Sequence, residues 1–208
     1  GQPLAGGVGY VRISNFAGTT ARDLDAGLRD LKARNGGRIA GLVLDLRGNP
    51  GGLYDQAVQV SDLFLKEGTI VTTAGMGDKV REPKQARDGG GELDFPGAVL
   101  VNSESASASE IVAGALKNLG RGVIIGRQTF GKGSVQVLYD FNEPVSRNEG
   151  ALKLTIAQYL TPGERSIQEI GVTPDIELVP ARLVADRVDL FAPPRLMREA
   201  DLDKHFSN

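Results

Sequence analysis

The chain has 208 residues, a length suited to one domain with a real core, and its 24 basic and 26 acidic residues leave a formal charge of −2. No long single-sign run offers a footprint for nucleic acid or an anionic membrane, and no apolar stretch approaches the ~20 residues that span a bilayer. Cysteine is absent and the single His205 sits in the polar tail DLDKHFSN, which excludes disulfides, thiolate zinc sites and cysteine nucleophiles and nearly excludes a histidine base.

The opening GQPLAGGVGY lacks the charged start and apolar middle of a signal peptide, so the chain reads as soluble and either mature or cut. Alternation over Val8–Ile13 predicts a strand. Leu24, Leu28 and Leu31 recur at four and three residues and predict an amphipathic helix stopped by Gly36. Ile39–Leu46 is a continuous apolar run ending at a Gly-rich loop, the pattern of a strand buried on both faces. A second helix is expected over Tyr54–Phe64 and a strand over Gly68–Ala74. The polar KVREPKQARDGGGE reads as a hairpin or mobile excursion. Ala98–Val101 is a short buried strand. The helix after it carries Ile111, Val112, Ala115, Leu116 and Leu119 on one face and stops at Gly120. Val123–Ile125 is again strand, and Val135–Phe141 and Ala151–Leu160 alternate like antiparallel strands. From Pro180 the tail predicts one packed helix or a partly ordered extension. Strands alternating with helices across short loops make this an α/β layered domain.

Three small-residue clusters fall directly after predicted buried strands: RGNPGG at 47–52, SESASAS at 103–109 and GRQTFGKG at 126–133. In layered α/β folds ligands gather outside the carboxyl ends of strands, so these loops are expected to converge. GRQTFGKG fits a phosphate-binding loop from Gly126 to Lys132. However, Gly133 replaces the Ser or Thr that holds magnesium, and a strand-like segment follows where a helix is needed. Ser107 and Glu110 match the S-x-x-E capping box, which explains Ser107 as a plain helix cap. The small residues from Ser105 to Ser109 also leave room for a substrate backbone, and the amide of Ala108 is available to an oxyanion. Neither G-x-S-x-G nor S-x-x-K occurs, so a hydrolase built here needs a base such as a Lys from another loop.

SASASEIVAGAL, followed by FGKGSVQ and preceded by LDLRGNPGG, resembles the carboxyl-terminal processing peptidases, or tail-specific proteases, which use a Ser–Lys pair. The resemblance covers roughly residues 8–180, from GYVRISNF to YLTPGERSIQEIGVTPDIEL. It implies a layered mixed sheet with flanking helices, a crotonase/ClpP-like spiral core, with antiparallel strands toward the C-terminal part. By position it implies Ser107 as nucleophile, Lys132 as general base and Gln136 as the group orienting the lysine amine. The oxyanion hole falls on the amides of Ala108 and of Gly51 or Gly52. A lysine is a base only when neutral, which burial favours, and no carboxylate lies within five residues of Lys132.

The resemblance further implies endopeptidase action near protein C-termini, protein or peptide substrates, no metal or cofactor, and a bacterial extracytoplasmic location in the periplasm or cell envelope. Members usually carry a PDZ domain, and none is read here. Residues 1–180 are expected to be the catalytic core and 181–208 an extension that packs on the body or makes a dimer contact. Two alternatives stay open: a non-catalytic binding module on the same fold, and a nucleotide or phosphate binder through Gly126–Lys132.

Overall fold

Residues 1–75, 81–87, 95–140, 151–184, 187–190 and 197–202 are described by a computed structural model. Strands β1 (Gln2–Pro3) and β2 (Val8–Arg12) lead into helix α1 (Thr20–Arg34) and β3 (Gly41–Asp45). Helix α2 (Tyr54–Asp62) is followed by β4 (Thr69–Gly75), β5 (Arg81–Gln85) and β6 (Gly97–Val101). Helix α3 (Ala108–Asn118) then precedes β7 (Gly122–Gly126), β8 (Ser134–Asp140), β9 (Ala151–Thr161), β10 (Arg165–Ser166) and β11 (Ile176–Glu177).

The apolar runs do what their lack of alternation requires: β3, β6 and β7 lie side by side in parallel, flanked in parallel by the alternating β2 and the short β11, with β1 antiparallel at the edge. Parallel order puts the loops after β3, β6 and β7 at one end of the sheet. A second, antiparallel sheet runs β10-β9-β4-β5, and β8 pairs with β9. Helix α3 packs against β7 of the first sheet and β4 and β9 of the second. Every residue from Ala108 to Leu116 is accordingly buried. Helix α1 buries Ala21, Leu24, Leu28 and Leu31 and turns the ion pairs Asp25–Arg29 and Asp30–Arg34 outward.

The described part of the polar excursion is strand β5, which pairs antiparallel with β4. For the tail the sequence predicts one packed helix or a partly ordered extension. Its described residues form a two-stranded hairpin, β12 (Ala181–Val184) with β13 (Arg187–Leu190), and a 3₁₀ turn at Glu199–Asp201. RVDL alternates polar and apolar residues with a period of two, which serves a strand and not a helix. Phe141 and His205 lie outside the described residues.

Candidate active site

The three clusters meet at the carboxyl ends of β3, β6 and β7, and buried polar groups fasten them together. Asn49 is fully buried. Its side-chain amide donates to the Ile13 carbonyl at 2.9 Å, and its Oδ1 accepts the Gly51 amide at 2.9 Å. Its own carbonyl accepts from Ala106 N and Ser109 Oγ, each at 3.0 Å. Phe130 N donates to the Ser105 carbonyl at 3.0 Å, and Gly48 N to Asn102 Oδ1 at 2.9 Å. Below this loop Asp45, 1 % exposed, accepts from Tyr10 Oη at 2.7 Å and from the Arg47 guanidinium. The Arg47 and Tyr10 hydrogen bonds outweigh the cost of burial and hold the Asp45 carboxyl down at about 2.

Position separates the three serines of SASAS. Ser105 Oγ donates to the Leu46 carbonyl at 2.8 Å and Ser109 Oγ to Asn49, and both side chains are fully buried. Their hydroxyls are committed to structure. Ser107 is half-buried and precedes the first residue of α3 with φ 55° and ψ −113°, a conformation that costs a non-glycine residue about 1–3 kcal/mol. Ser107 and Glu110 occupy the two positions of a capping box. The carboxylate half is tight, with Ser107 N donating to Glu110 Oε2 at 2.7 Å. The Glu110 amide also bonds the Ser107 carbonyl, at 2.8 Å.

Glu110 does far more than cap. Its Oε2 also accepts the amide of Lys132 at 2.9 Å, while Oε1 accepts Thr129 Oγ at 2.5 Å and Gly131 N at 2.7 Å. One oxygen thus receives the backbone N–H of both Ser107 and Lys132, so those nitrogens lie within two hydrogen-bond lengths of each other. Burial pushes the Glu110 carboxyl up to about 7, against the four donors that favour its charged form. The S-x-x-E spacing gave a local signal for one of these contacts. Nothing local announced the other three, which come from residues 19 to 22 positions away.

The glycines after β3 close over Ser107. Gly51 has φ +108°, and a Cβ there would stand 2.9 Å from the Ser107 Cβ and 3.1 Å from Ala108 N, so only glycine fits. Its amide is taken by Asn49. Gly52 forms a bridge with Phe16 through its neighbours: Phe16 N donates to the Gly51 carbonyl and Leu53 N to the Phe16 carbonyl. The Gly52 amide itself makes no hydrogen bond to the described residues. The Ala108 amide opens α3, where the first N–H groups lack intrahelical partners.

Lys132 is half-buried, and its side chain has no ion pair or hydrogen bond among the described residues. Gln136 is exposed on β8, opposite Thr155 beside a bulge, and its side chain makes no hydrogen bond to Lys132. Ser107, Ala108, Gly51, Gly52 and the backbone of Lys132 are therefore brought together, and Gln136 is not joined to them. After Gly133 the chain enters strand β8, so Gly126–Lys132 lacks the following helix that phosphate binding requires. Among the described residues no cluster of three His, Cys, Asp or Glu could hold a metal.

The model of peptidase family S41 matches residues 7–178. A carboxy-terminal-processing protease of Bartonella bacilliformis is 48% identical over 174 residues, covering 83% of this chain and 39% of that protein. A carboxyl-terminal-processing protease of Synechocystis sp. is 34% identical over 196 residues, covering 94% of this chain and 43% of its own length. The chain thus spans about two fifths of these curated relatives. The solved photosystem II D1 C-terminal processing protease superposes with a TM-score of 0.74 at 36% identity, over 85% of this chain and 44% of that one.

Proposed function

The chain belongs to peptidase family S41, and from that premise we propose that it is a serine endopeptidase cleaving proteins near their C-terminal ends, with Ser107 as nucleophile and Lys132 as general base. The observation that carries this reading is the Glu110 carboxylate, whose Oε2 takes the N–H of both residues and so docks the two loops on one atom. Ser107 supports it as the half-buried serine of its cluster, on a strained backbone, while Ser105 and Ser109 are fully buried and bonded to main-chain carbonyls. A plain helix cap does not need that strain.

In the first step Ser107 Oγ bonds to the substrate carbonyl carbon and passes its proton to Lys132 Nζ. The resulting oxyanion is held by the Ala108 amide and by that of Gly52, since Asn49 already occupies Gly51. Collapse breaks the carbon–nitrogen bond, and the departing amine takes the proton from Lys132. Water then repeats the sequence on the acyl-enzyme, and the acid product leaves. Gln136, exposed on β8 four residues beyond Lys132, is the group proposed to orient the amine, which it can do without adding charge. The substrates are proteins or peptides. Among the described residues no helix is long and apolar enough to cross a membrane. The place of work proposed for it is extracytoplasmic, in the periplasm or cell envelope, as the family resemblance implies.

Ser107→Ala and Lys132→Ala are each expected to abolish hydrolysis of an unfolded protein with an apolar C-terminus, read by mass spectrometry of the products. Full hydrolysis by either variant would overturn the assignment.

A further inference from the structure

Among the described residues strand β8 has one neighbour, β9. Its side toward β9 is paired from Ser134 through Asp140, and no described strand lies on its other side. Every second residue of an antiparallel strand turns its N–H and C=O away from the partner, so β8 offers a row of main-chain donors and acceptors along its outer edge.

The start of this edge is fixed at the proposed reaction site. Ser134 lies two residues past Lys132, whose amide is held by Glu110. Between them Gly133 donates to Gln168 Oε1 at 2.9 Å and accepts the Tyr159 amide at 2.7 Å. The edge therefore leads out of the site from an anchored end.

Proteins usually blunt such an edge with charge, proline or a covering element. The other end of the same sheet does so: β5 reads REPKQ, with Arg81, Pro83 and Lys84 in five exposed residues. By contrast β8 reads SVQVLYD and carries neither proline nor charge before its last residue. Its hairpin also has an apolar face, where Val137 lies opposite Leu154, and Leu152 and Leu154 are 42% and 41% exposed.

We propose that the substrate polypeptide binds as an added strand along the outer edge of β8, main chain to main chain, leading its scissile bond to Ser107. The occupant is an extended peptide and not a second copy of the chain, because the edge is continuous with the site where a peptide bond must be presented. The inference rests on the peptidase reading. Main-chain pairing gives affinity that is largely independent of sequence, and the apolar face favours Val-, Leu- or Ile-like residues at alternate substrate positions.

The test is a set of synthetic peptide substrates that differ only in one N-methylated amide, moved stepwise along the segment away from the cleaved bond. Each is compared by KM and kcat on the unaltered chain, and Ser107 is titrated separately with a small fluorophosphonate that needs no strand pairing. The expected result is a KM raised about tenfold at every second position, the loss of one hydrogen bond of about 1.4 kcal/mol, with little change between. Cleavage and labelling without that alternation would overturn the strand proposal alone. A KM that depends on protein concentration, showing the edge hidden in a dimer, would overturn it too. Absence of both labelling and cleavage would remove the peptidase reading and the proposal together.

Discussion

At the scale of single residues, Glu110 is the group on which the two reactive loops depend. Its carboxyl accepts Thr129 Oγ and the amides of Ser107, Gly131 and Lys132. Replacing Glu110 by Gln turns an acceptor into a donor facing N–H groups, which frees at least one loop. Because a shift of about 1 Å in a reacting group costs on the order of 100-fold, Glu110→Gln is expected to lower kcat by roughly 10- to 100-fold with KM little changed. The same substitution has a pH signature. The folded carboxyl, raised from 4.5 to about 7 by burial, binds its proton more tightly than in the unfolded chain. Its contribution to stability is complete below about 4.5 and is lost as pH rises through about 7. Urea midpoints measured across that window should carry this decline in the parent chain and lack it in Glu110→Gln.

At the scale of elements, α3 is held between two sheets, and one glycine sets how closely. A Cβ on Gly114 would stand 2.5 Å from Thr161 Cγ2 at the end of β9. Alanine is the better helix former by about 1 kcal/mol, yet overpacking costs about 1–3 kcal/mol, so Gly114→Ala is expected to destabilise the chain. Thr161→Ser removes the clashing methyl and keeps the hydroxyl that bonds Asn118 and the Arg165 carbonyl. Urea unfolding of the double variant should recover most of the loss, and equal damage in both variants would show the clash to be elsewhere. A shift of α3 here is transmitted to Ser107, which stands immediately before its first residue.

At the scale of the whole molecule, one apolar cluster runs from Val11 to Val172 and includes members of all three helices and both sheets. The tail adds polar fastenings. Glu199 N donates to the Phe130 carbonyl at 3.1 Å, and Arg198 bonds Gln128 Oε1 at 3.3 Å, both on the loop that carries Lys132. A chain ending at residue 180 is therefore expected to keep a single cooperative urea transition, since the core is intact, while losing several-fold in kcat as the 128–132 loop loosens. Unchanged kcat would show the tail to be a bystander.

The parallel strands, the three helices and the order of the reactive loops were legible in the chain, because apolar runs, the spacing of Leu24, Leu28 and Leu31, and Gly and Ser clusters after strands are local signals. The resemblance of LDLRGNPGG, SASASE and FGKGSVQ then pointed to Ser107 and Lys132. Spacing alone could not choose among Ser105, Ser107 and Ser109, nor between Gly51 and Gly52. In the proposed mechanism those choices rest on which hydroxyls and amides the neighbouring loops already occupy, and occupancy is a property of contacts between residues far apart in sequence. For the same reason Glu110 reads as a cap, β8 gives no sign of its place in the sheet, and the tail predicts one packed helix or a partly ordered extension. Hydrogen-bond partners across loops and the missing neighbour of a strand exist only once the chain has folded.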